Sequence, residues 1–206
     1  MKSFLKNIFS SLISKENDRT IFSVGSAHFS KMKKNYPDVK SLAEVDYKVF
    51  SQNGEDGIID YLLNSLNVDV PRFLEIGVGN YKESNTRYLF EKTSCKGMII
   101  DNIKDLKQKV SKYVKLWKGD LTIIENTVTS ENILEILSSN NFDKNLDIFS
   151  LDIDGIDYWV MQQIPENISK IVVAEYNSTF GPNLEVSVPN IKNFDRKKYH
   201  YSFLCY

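Results

Sequence analysis

One short stretch at residues 72–81, RFLEIGVGNY, most constrains what this chain can fold into. Its apolar run up to Ile76 is typical of a buried strand. Gly77 and Gly79 follow at once, and glycines let a backbone turn sharply and approach a ligand closely. Ser84, a good N-cap residue, then marks the start of a predicted helix. The stretch therefore predicts a strand, a glycine loop and a helix, the opening unit of an α/β fold.

The glycine loop suits several nucleotides, so the residues around it have to discriminate between them. A dinucleotide site needs a third glycine where this chain has Lys82, and the longer phosphate-cradling loop of ATP sites is absent from the sequence. Glu75, at the end of the strand, would also repel a pyrophosphate. S-adenosylmethionine (SAM) carries a sulfonium and an ammonium group instead, and a carboxylate attracts both. Glu75, with Gly77 and Gly79, therefore favours SAM.

A second acid follows the next predicted strand. The run KGMIID ends in Asp101, 26 residues after Glu75. This is close to the spacing at which a carboxylate accepts the ribose hydroxyls of a bound nucleotide. We interpret Asp101 as the ribose-binding residue, and the alternative is an exposed aspartate in a turn. Asn80 beside the glycine loop and Asn102 beside Asp101 are further candidate cofactor contacts.

The strongest candidates for catalysis lie at 146–154, which we predict to be a buried strand. A period of two places Asp152 and Asp154 on one side near its carboxyl end, where ligands bind in open parallel sheets. Asp154 can alternatively cap the helix that follows, whereas Asp152 has no such structural role. Both are therefore candidate catalytic residues.

Asp152 has several ways to act on an acceptor hydroxyl. It could take the hydroxyl proton, orient the hydroxyl, or bind a hard cation such as Mg²⁺ that lowers the hydroxyl pKa. Glu175, at the end of a predicted fifth strand at 171–175, would be the second oxygen ligand of that cation. The sequence does not choose between these roles.

Four blocks in the same order carry a resemblance to a known family. They are SQNGEDGII at 51–59, FLEIGVG at 73–79 with ESNTR at 83–87, SLDIDGIDYW at 150–159, and EYN at 175–177. In order and spacing they resemble the FkbM-like family of SAM-dependent methyltransferases from about residue 50 onward. The resemblance implies a Rossmann-like class I methyltransferase fold, with three layers and a mainly parallel sheet, that binds SAM.

Members of this family are often encoded among genes for bacterial surface polysaccharides and are usually taken to methylate hydroxyl groups. The resemblance therefore implies O-methylation of a sugar or a surface-glycan precursor. It also puts the entrance of the 51–59 block near the methionine end of SAM, which makes Gln52 a candidate cofactor contact. The alternative there is helix capping by Ser51 or Asn53. Asn85, inside the ESNTR block, is a further candidate contact.

Length, charge and cysteine spacing limit the other functions. The 206 residues suit one domain at 49–206 with an appendage at 1–48. With a net charge of −1, the chain has no overall positive potential that would attract nucleic acid. Cys95 and Cys205 have neither metal-binding nor redox spacing, so we expect a reducing compartment, the cytoplasm.

The appendage begins with a predicted amphipathic helix at 2–14. Six large apolar residues share one of its faces: Phe4, Leu5, Ile8, Phe9, Leu12 and Ile13. It does not resemble a signal peptide, because polar residues interrupt any apolar core and no small-residue cleavage site follows. It is also too short and too polar to span a membrane. Its apolar face can pack on the domain or on a partner subunit, or form a peripheral contact with the inner face of a membrane. The polar composition of residues 16–40 then predicts a connector with a small helix.

The carboxyl end is shorter than the resemblance implies. Family members continue past the segment that resembles 199–202 into a last helix and a β-hairpin, whereas this chain stops at Tyr206. We therefore expect that helix and hairpin to be missing and the fifth strand to have an open edge, which invites self-association into a homo-oligomer. The alternatives to an active methyltransferase are a truncated, inactive SAM-binding or interaction protein and, disfavoured by Lys82, a nucleotide-dependent oxidoreductase.

Overall fold

The computed structural model describes residues 2–176, 183 and 186–191, with side chains from Glu16 onward. Three of the expectations fall outside the described residues. They are the packing of the apolar face at 2–14, the Asn177 end of the fourth sequence block, and the carboxyl-terminal segment 192–206. The fold below is that of the described part of the chain.

The described residues form a five-stranded sheet in which all neighbouring strands are parallel. The strands are β1 (Arg72–Ile76), β2 (Lys96–Asp101), β3 (Asp120–Glu125), β4 (Leu146–Leu151) and β5 (Ser169–Ala174). Their spatial order is β3-β2-β1-β4-β5, so the direction of winding reverses at β1. Ligands bind at such a reversal, beyond the carboxyl ends of the strands. The α/β, Rossmann-like three-layer fold that the sequence predicts is confirmed.

Six α-helices accompany the sheet in the described part of the chain. They are α1 (Lys2–Met32), α2 (Glu55–Ser65), α3 (Arg87–Thr93), α4 (Leu106–Val110), α5 (Ile133–Ser139) and α6 (Asp157–Met161). An apolar core lies on each face of the sheet, and β1 contributes to both because its side chains alternate. Phe73 lies in the core with Ile59 of α2 and Phe90 of α3. Leu74 lies in the opposite core with Leu137 of α5.

The N-terminal region differs from its prediction. Helix α1 runs unbroken to Met32, and a 3₁₀ turn at Lys33–Asp38 follows, so the connector expected at 16–40 is mostly helix. The cause is packing against the domain, since the buried ring of Phe29 lies 4.9 Å from that of Tyr88 and 5.5 Å from that of Tyr47. No helix within the described residues is long and apolar enough to cross a membrane.

A buried arginine also ties α1 to the domain. The side chain of Arg87, at the start of α3, is only 1% exposed. Its guanidinium donates to Asp18 of α1 at 2.7 Å and to Glu91 at 3.0 Å, and it lies 3.7 Å from the ring centroid of Phe50. Two carboxylates and an aromatic face thus compensate its burial. This network fixes the second half of α1 beside α3.

Candidate functional site

Two cavities open at the carboxyl ends of the strands, one on each side of the glycine loop. The β5-side cavity, of about 730 Å³, extends towards Ala174 at the end of β5. The β3-side cavity, of about 600 Å³, extends towards Asn126 beyond β3. Gly77, Gly79 and Asp152 border both cavities. A ligand that crosses the glycine loop can therefore occupy both.

The predicted site residues all line these cavities. Beyond the three shared residues, the β5-side cavity is lined by Gln52, Glu75, Asn80, Asn85 and Glu175, and the β3-side cavity by Asp101, Asn102 and Asp154. Residues that are far apart in the sequence thus meet at the reversal point of the sheet. The ribose candidate Asp101 shares the β3-side cavity with Asp154, while Glu75 and Glu175 lie in the β5-side cavity and Asp152 borders both.

Gly77 is required by a close approach of two backbones. Its φ is +86°, and a β-carbon there would lie 1.6 Å from the carbonyl oxygen of Asp152. The Gly77 N–H donates to the carbonyl of Ile100 at 2.9 Å, so the turn continues the sheet pairing. Gly79 also has a positive φ, +55°, but a β-carbon there would meet nothing within 4 Å. The first glycine is therefore structural, and the second leaves open space beside the cavities.

Glu75, at the end of β1, holds the loop that precedes α3. Its carboxylate accepts hydrogen bonds from Ser84 Oγ at 2.6 Å and from the Asn85 N–H at 2.9 Å, and Thr86 donates through both its N–H and its hydroxyl. Burial raises the pKa of the Glu75 carboxyl, and these hydrogen bonds oppose the rise. Ser84 is not the N-cap residue of α3 as expected, because the helix begins later, at Arg87. Its hydroxyl nevertheless accepts from the Thr86 N–H at 3.2 Å in the turn before the helix. A cofactor contact by Glu75 stays a prediction.

The three amide candidates of the β5-side cavity differ in how far the protein already uses them. Asn85 Nδ2 donates to Ser150 Oγ at 3.1 Å, and Asn80 Oδ1 accepts from the Lys82 N–H at 3.0 Å. Gln52 is exposed at the cavity rim, and its backbone carbonyl accepts from Lys48 Nζ at 2.9 Å. Asn80 and Asn85 are therefore positioned by the fold, while the Gln52 side chain faces solvent at the cavity.

The entrance before α2 is organised by Asp56, a residue that the sequence interpretation missed. One oxygen of this buried carboxylate accepts hydrogen bonds of 2.6–2.7 Å from three consecutive backbone N–H groups, those of Val49, Phe50 and Ser51. Ser51 Oγ in turn accepts from the Asp56 N–H at 3.2 Å, which supports the capping alternative for Ser51. The only signal in the sequence was an acid in the first turn of the predicted helix. This loop fixes the segment that carries Gln52.

Asp101 connects the glycine loop to the end of β2. Its Oδ2 accepts from the Gly79 N–H at 2.8 Å, and its Oδ1 accepts from the Ile103 N–H at 3.0 Å. Burial raises the pKa of this half-buried carboxyl, against the effect of its backbone hydrogen bonds. Each oxygen keeps a lone pair for a further donor. Asp101 is therefore a loop anchor that can still accept from ribose hydroxyls.

Three acids meet beyond β4 and β5. Carboxylate oxygens of Asp152, Asp154 and Glu175 all lie within 4.8 Å of one another. The expected reason for this proximity is wrong, because β4 ends at Leu151 and Asp154 lies in a turn with a left-handed φ of +58°. Hard cations such as Mg²⁺ and Ca²⁺ prefer such oxygen ligands. We refer to these three residues as the acid cluster.

The surroundings of Asp152 alter its proton affinity. Burial, and then the neighbouring charge of Glu175, raise the pKa of Asp152 to about 7. A carboxyl with a pKa in this range can exchange a proton with a substrate near neutral pH. Asp152 therefore has the properties of a general base, or of one ligand in a cation site.

Asp157 closes the turn that follows β4. This buried carboxylate accepts from the Ile153 N–H at 2.8 Å and from the Gly155 N–H at 2.9 Å. The sequence interpretation considered Asp154 for a capping role, but these two bonds belong to Asp157. By fixing the turn, Asp157 determines where Asp152 and Asp154 lie.

The β5-side cavity is strongly acidic. Its lining includes five carboxylates, those of Glu55, Glu75, Glu83, Asp152 and Glu175, but among the described residues only one cationic side chain, Lys82. The exposed ring of Tyr176 also borders it. This balance attracts cationic groups and disfavours phosphates.

Comparisons of the chain with protein-family models, curated proteins and solved structures found no match.

Proposed function

We propose that the protein is a SAM-dependent methyltransferase that methylates a hydroxyl of a sugar or a surface-glycan precursor. The observation that carries the proposal is the pair of cavities joined at the glycine loop, in which carboxylates outnumber cationic side chains on both sides and Asp101 lies on the β3 side. SAM matches this lining, since its sulfonium and ammonium are cationic and its adenosine carries ribose hydroxyls. The choice of acceptor follows the family resemblance of the sequence.

The adenosine end would occupy the β3-side cavity. Asp101 would accept from the ribose hydroxyls, and Asn102 lies beside it. The apolar side chains of Ile103, Val128 and Ile156 also line this cavity and would contact the adenine ring. Because Asp101 also binds the Gly79 N–H, ribose binding and the shape of the glycine loop would be coupled.

The methionine end would occupy the β5-side cavity. Gln52, Asn80 and Asn85 supply polar groups for its carboxylate and ammonium, and the acidic lining favours both cations. The same lining disfavours the pyrophosphate of a dinucleotide, because five carboxylates surround a single lysine. This balance supports SAM over a nicotinamide cofactor.

The acid cluster would act on the acceptor hydroxyl. SAM supplies an electrophilic methyl group on a good leaving group, so alignment accounts for most of the rate. Asp152 would accept the hydroxyl proton, for which its raised pKa is suited. In the alternative role, Asp152 and Glu175 would hold Mg²⁺, which lowers the pKa of a bound hydroxyl. Both roles require the carboxylates to lie at the positions that they occupy in the acid cluster.

We further propose a cytoplasmic location, with residues 2–14 at the inner face of the membrane or at a subunit interface. The support is their apolar helical face. Cys95, which is buried and free, is compatible with a reducing compartment.

Calorimetric titration of the purified chain tests the donor. We expect SAM, or its demethylated product, to bind in the micromolar range, about −8 kcal/mol, and NAD not to bind measurably. Binding of NAD without SAM would contradict the proposal. Transfer of a labelled methyl group to a panel of nucleotide-sugars and glycan fragments then tests the acceptor class.

A further inference from the structure

A basic surface lies on the segment between β2 and β3. Residues 104–118 contain six lysines against a single acid, while the whole chain has a net charge of −1. Within the described residues, no carboxylate pairs with the first five of these lysines, Lys104, Lys107, Lys109, Lys112 and Lys115. Lys112 and Lys115 border one cavity and Lys115 lies beside Trp117, and we call these three residues, with the other lysines of the segment, the basic surface. Such a local excess of charge attracts an anionic partner even though the whole chain is nearly neutral.

Trp117 gives this surface an apolar group. Its side chain is 80% exposed, more than any other large apolar side chain among the described residues, and it belongs to neither core of the sheet. Lys115 Nζ lies 5.7 Å from the centroid of its ring. Tryptophan beside lysine is typical of side chains at the headgroup level of a membrane, where the ring is partly buried and the amine is solvated.

The N-terminal helix passes the same surface. A third cavity, of about 270 Å³, is bordered by Asp18 and Phe22 of α1 on one side and by Lys112 and Lys115 on the other. Helix α1 is continuous from Lys2, and the apolar face of 2–14 ends at Ile13, five residues before Asp18. At 1.5 Å per residue this is about 8 Å along the helix. The apolar part of α1 therefore begins close to the basic surface.

We propose that the basic surface docks on the headgroups of an anionic lipid bilayer, with the apolar part of α1 in the adjoining interface. A nucleic acid would bind the lysines but would not use the apolar sequence at 2–14. A bilayer uses every component, because it offers anionic headgroups to the lysines, an interfacial layer to the indole and an acyl boundary to the helix. The proposal does not depend on methyl transfer.

Tryptophan emission tests the docking directly. The chain has two tryptophans, and the second, Trp159, is partly buried and donates to the Val188 carbonyl at 2.7 Å. The full-length Trp159→Phe protein, in which Trp117 is the only tryptophan, is titrated with phosphatidylcholine vesicles with and without phosphatidylglycerol. We expect a blue shift of Trp117 emission only with the anionic vesicles, lost at high salt. No shift, or an equal shift with both kinds of vesicle, would overturn the proposal.

Variants in which lysines are replaced by neutral glutamine test which lysines contribute to vesicle binding. Each interfacial lysine contributes about fivefold to the partition coefficient, so Lys112→Gln with Lys115→Gln should weaken vesicle binding by about 30-fold. The matched control is Lys40→Gln with Lys144→Gln, two exposed lysines outside the basic surface, which should bind like the natural chain. Co-sedimentation measures both, and it remains usable if Trp159→Phe misfolds. Equal losses in the two variants, or tighter binding to an oligonucleotide than to anionic vesicles, would refute a lipid partner.

Discussion

The α-carbon of Gly77 faces the carbonyl oxygen of Asp152 so closely that a β-carbon on Gly77 would lie 1.6 Å from that oxygen. The glycine loop and the acid cluster are thus built against each other through the backbone. Because backbone cannot rotate away as a side chain can, Gly77→Ala should lower the free energy of unfolding by about 3 kcal/mol or more. Urea denaturation measures this change.

Gly79→Ala is the matched comparison for Gly77→Ala. A β-carbon at Gly79 meets nothing within 4 Å, and only its positive φ of +55° opposes the substitution. We therefore expect a smaller loss of stability, about 1–2 kcal/mol, together with weaker SAM binding because the methyl group narrows the space beside the cavities. A Gly77→Ala protein as stable as Gly79→Ala would show that the loop can move away from Asp152.

Asp101→Ala tests the assignment of the ribose. It removes a charged acceptor for two hydroxyls and also frees the Gly79 N–H, so SAM binding should weaken by about 1–3 kcal/mol. Calorimetry measures the change, and Asp143→Ala, at an exposed position outside both cavities, serves as the control. Unchanged affinity for SAM would place the ribose elsewhere.

Asp152→Asn tests the chemistry separately from binding. It keeps the shape of the side chain and removes its charge, so turnover should fall by about 100-fold or more while the dissociation constant of SAM changes little. A large loss of SAM affinity would make Asp152 a cofactor contact instead. Inhibition of methyl transfer by the natural chain on adding a chelator, reversed by added Mg²⁺, would select the cation-binding role over the general base.

The first strand, the glycine loop and the position of Asp101 beside that loop could be predicted because their signals are local. An apolar run, two glycines and an acid follow one another, and β1 spans Arg72–Ile76 as those signals indicate. The parallel sheet follows from the alternation of strands and helices along the chain. The meeting of the acids was also expected, since strands end at one edge of such a sheet.

The rest depended on contacts between distant residues. The hydrogen-bond donors to the Glu75 carboxylate lie in a loop, and no local sequence pattern predicts the path of that loop. Asp154 reaches the acid cluster through a left-handed turn. The sequence pattern also places Asp154 beside Asp152, but on the assumption that both lie on one face of a strand. The polar composition at 16–40 indicated a connector, but packing against Tyr88 and pairing with Arg87 stabilise a helix that continues to Met32.

The raised pKa of Asp152 predicts a pH-dependent stability. In the folded chain its pKa is about 7, whereas it is near 3.9 in the unfolded chain. The folded state therefore holds this proton more tightly, and the contribution of Asp152 to stability falls as the pH rises through that window. The side chain is partly solvated, so the loss should be about 1–2 kcal/mol rather than the full value of the shift.

Urea denaturation of the natural chain and of Asp152→Asn, at pH 5 and pH 8 with a chelator present, measures this contribution. The variant cannot ionise at this position, so its stability relative to the natural chain should increase from pH 5 to pH 8. Asp143→Asn should follow the natural chain at both values. A constant difference between Asp152→Asn and the natural chain would mean that Asp152 titrates alike in both states.

The pairing of Asp18 with Arg87 has a consequence for any attempt to divide this chain. A fragment that begins at residue 49 would keep every strand of the described sheet. It would nonetheless lose Asp18, which pairs with the buried Arg87 guanidinium, and Phe29, whose ring packs against that of Tyr88. Any cut that preserves the domain should leave Asp18 in place. We therefore expect a workable point of division to lie inside a helix, upstream of Asp18, and not in a linker.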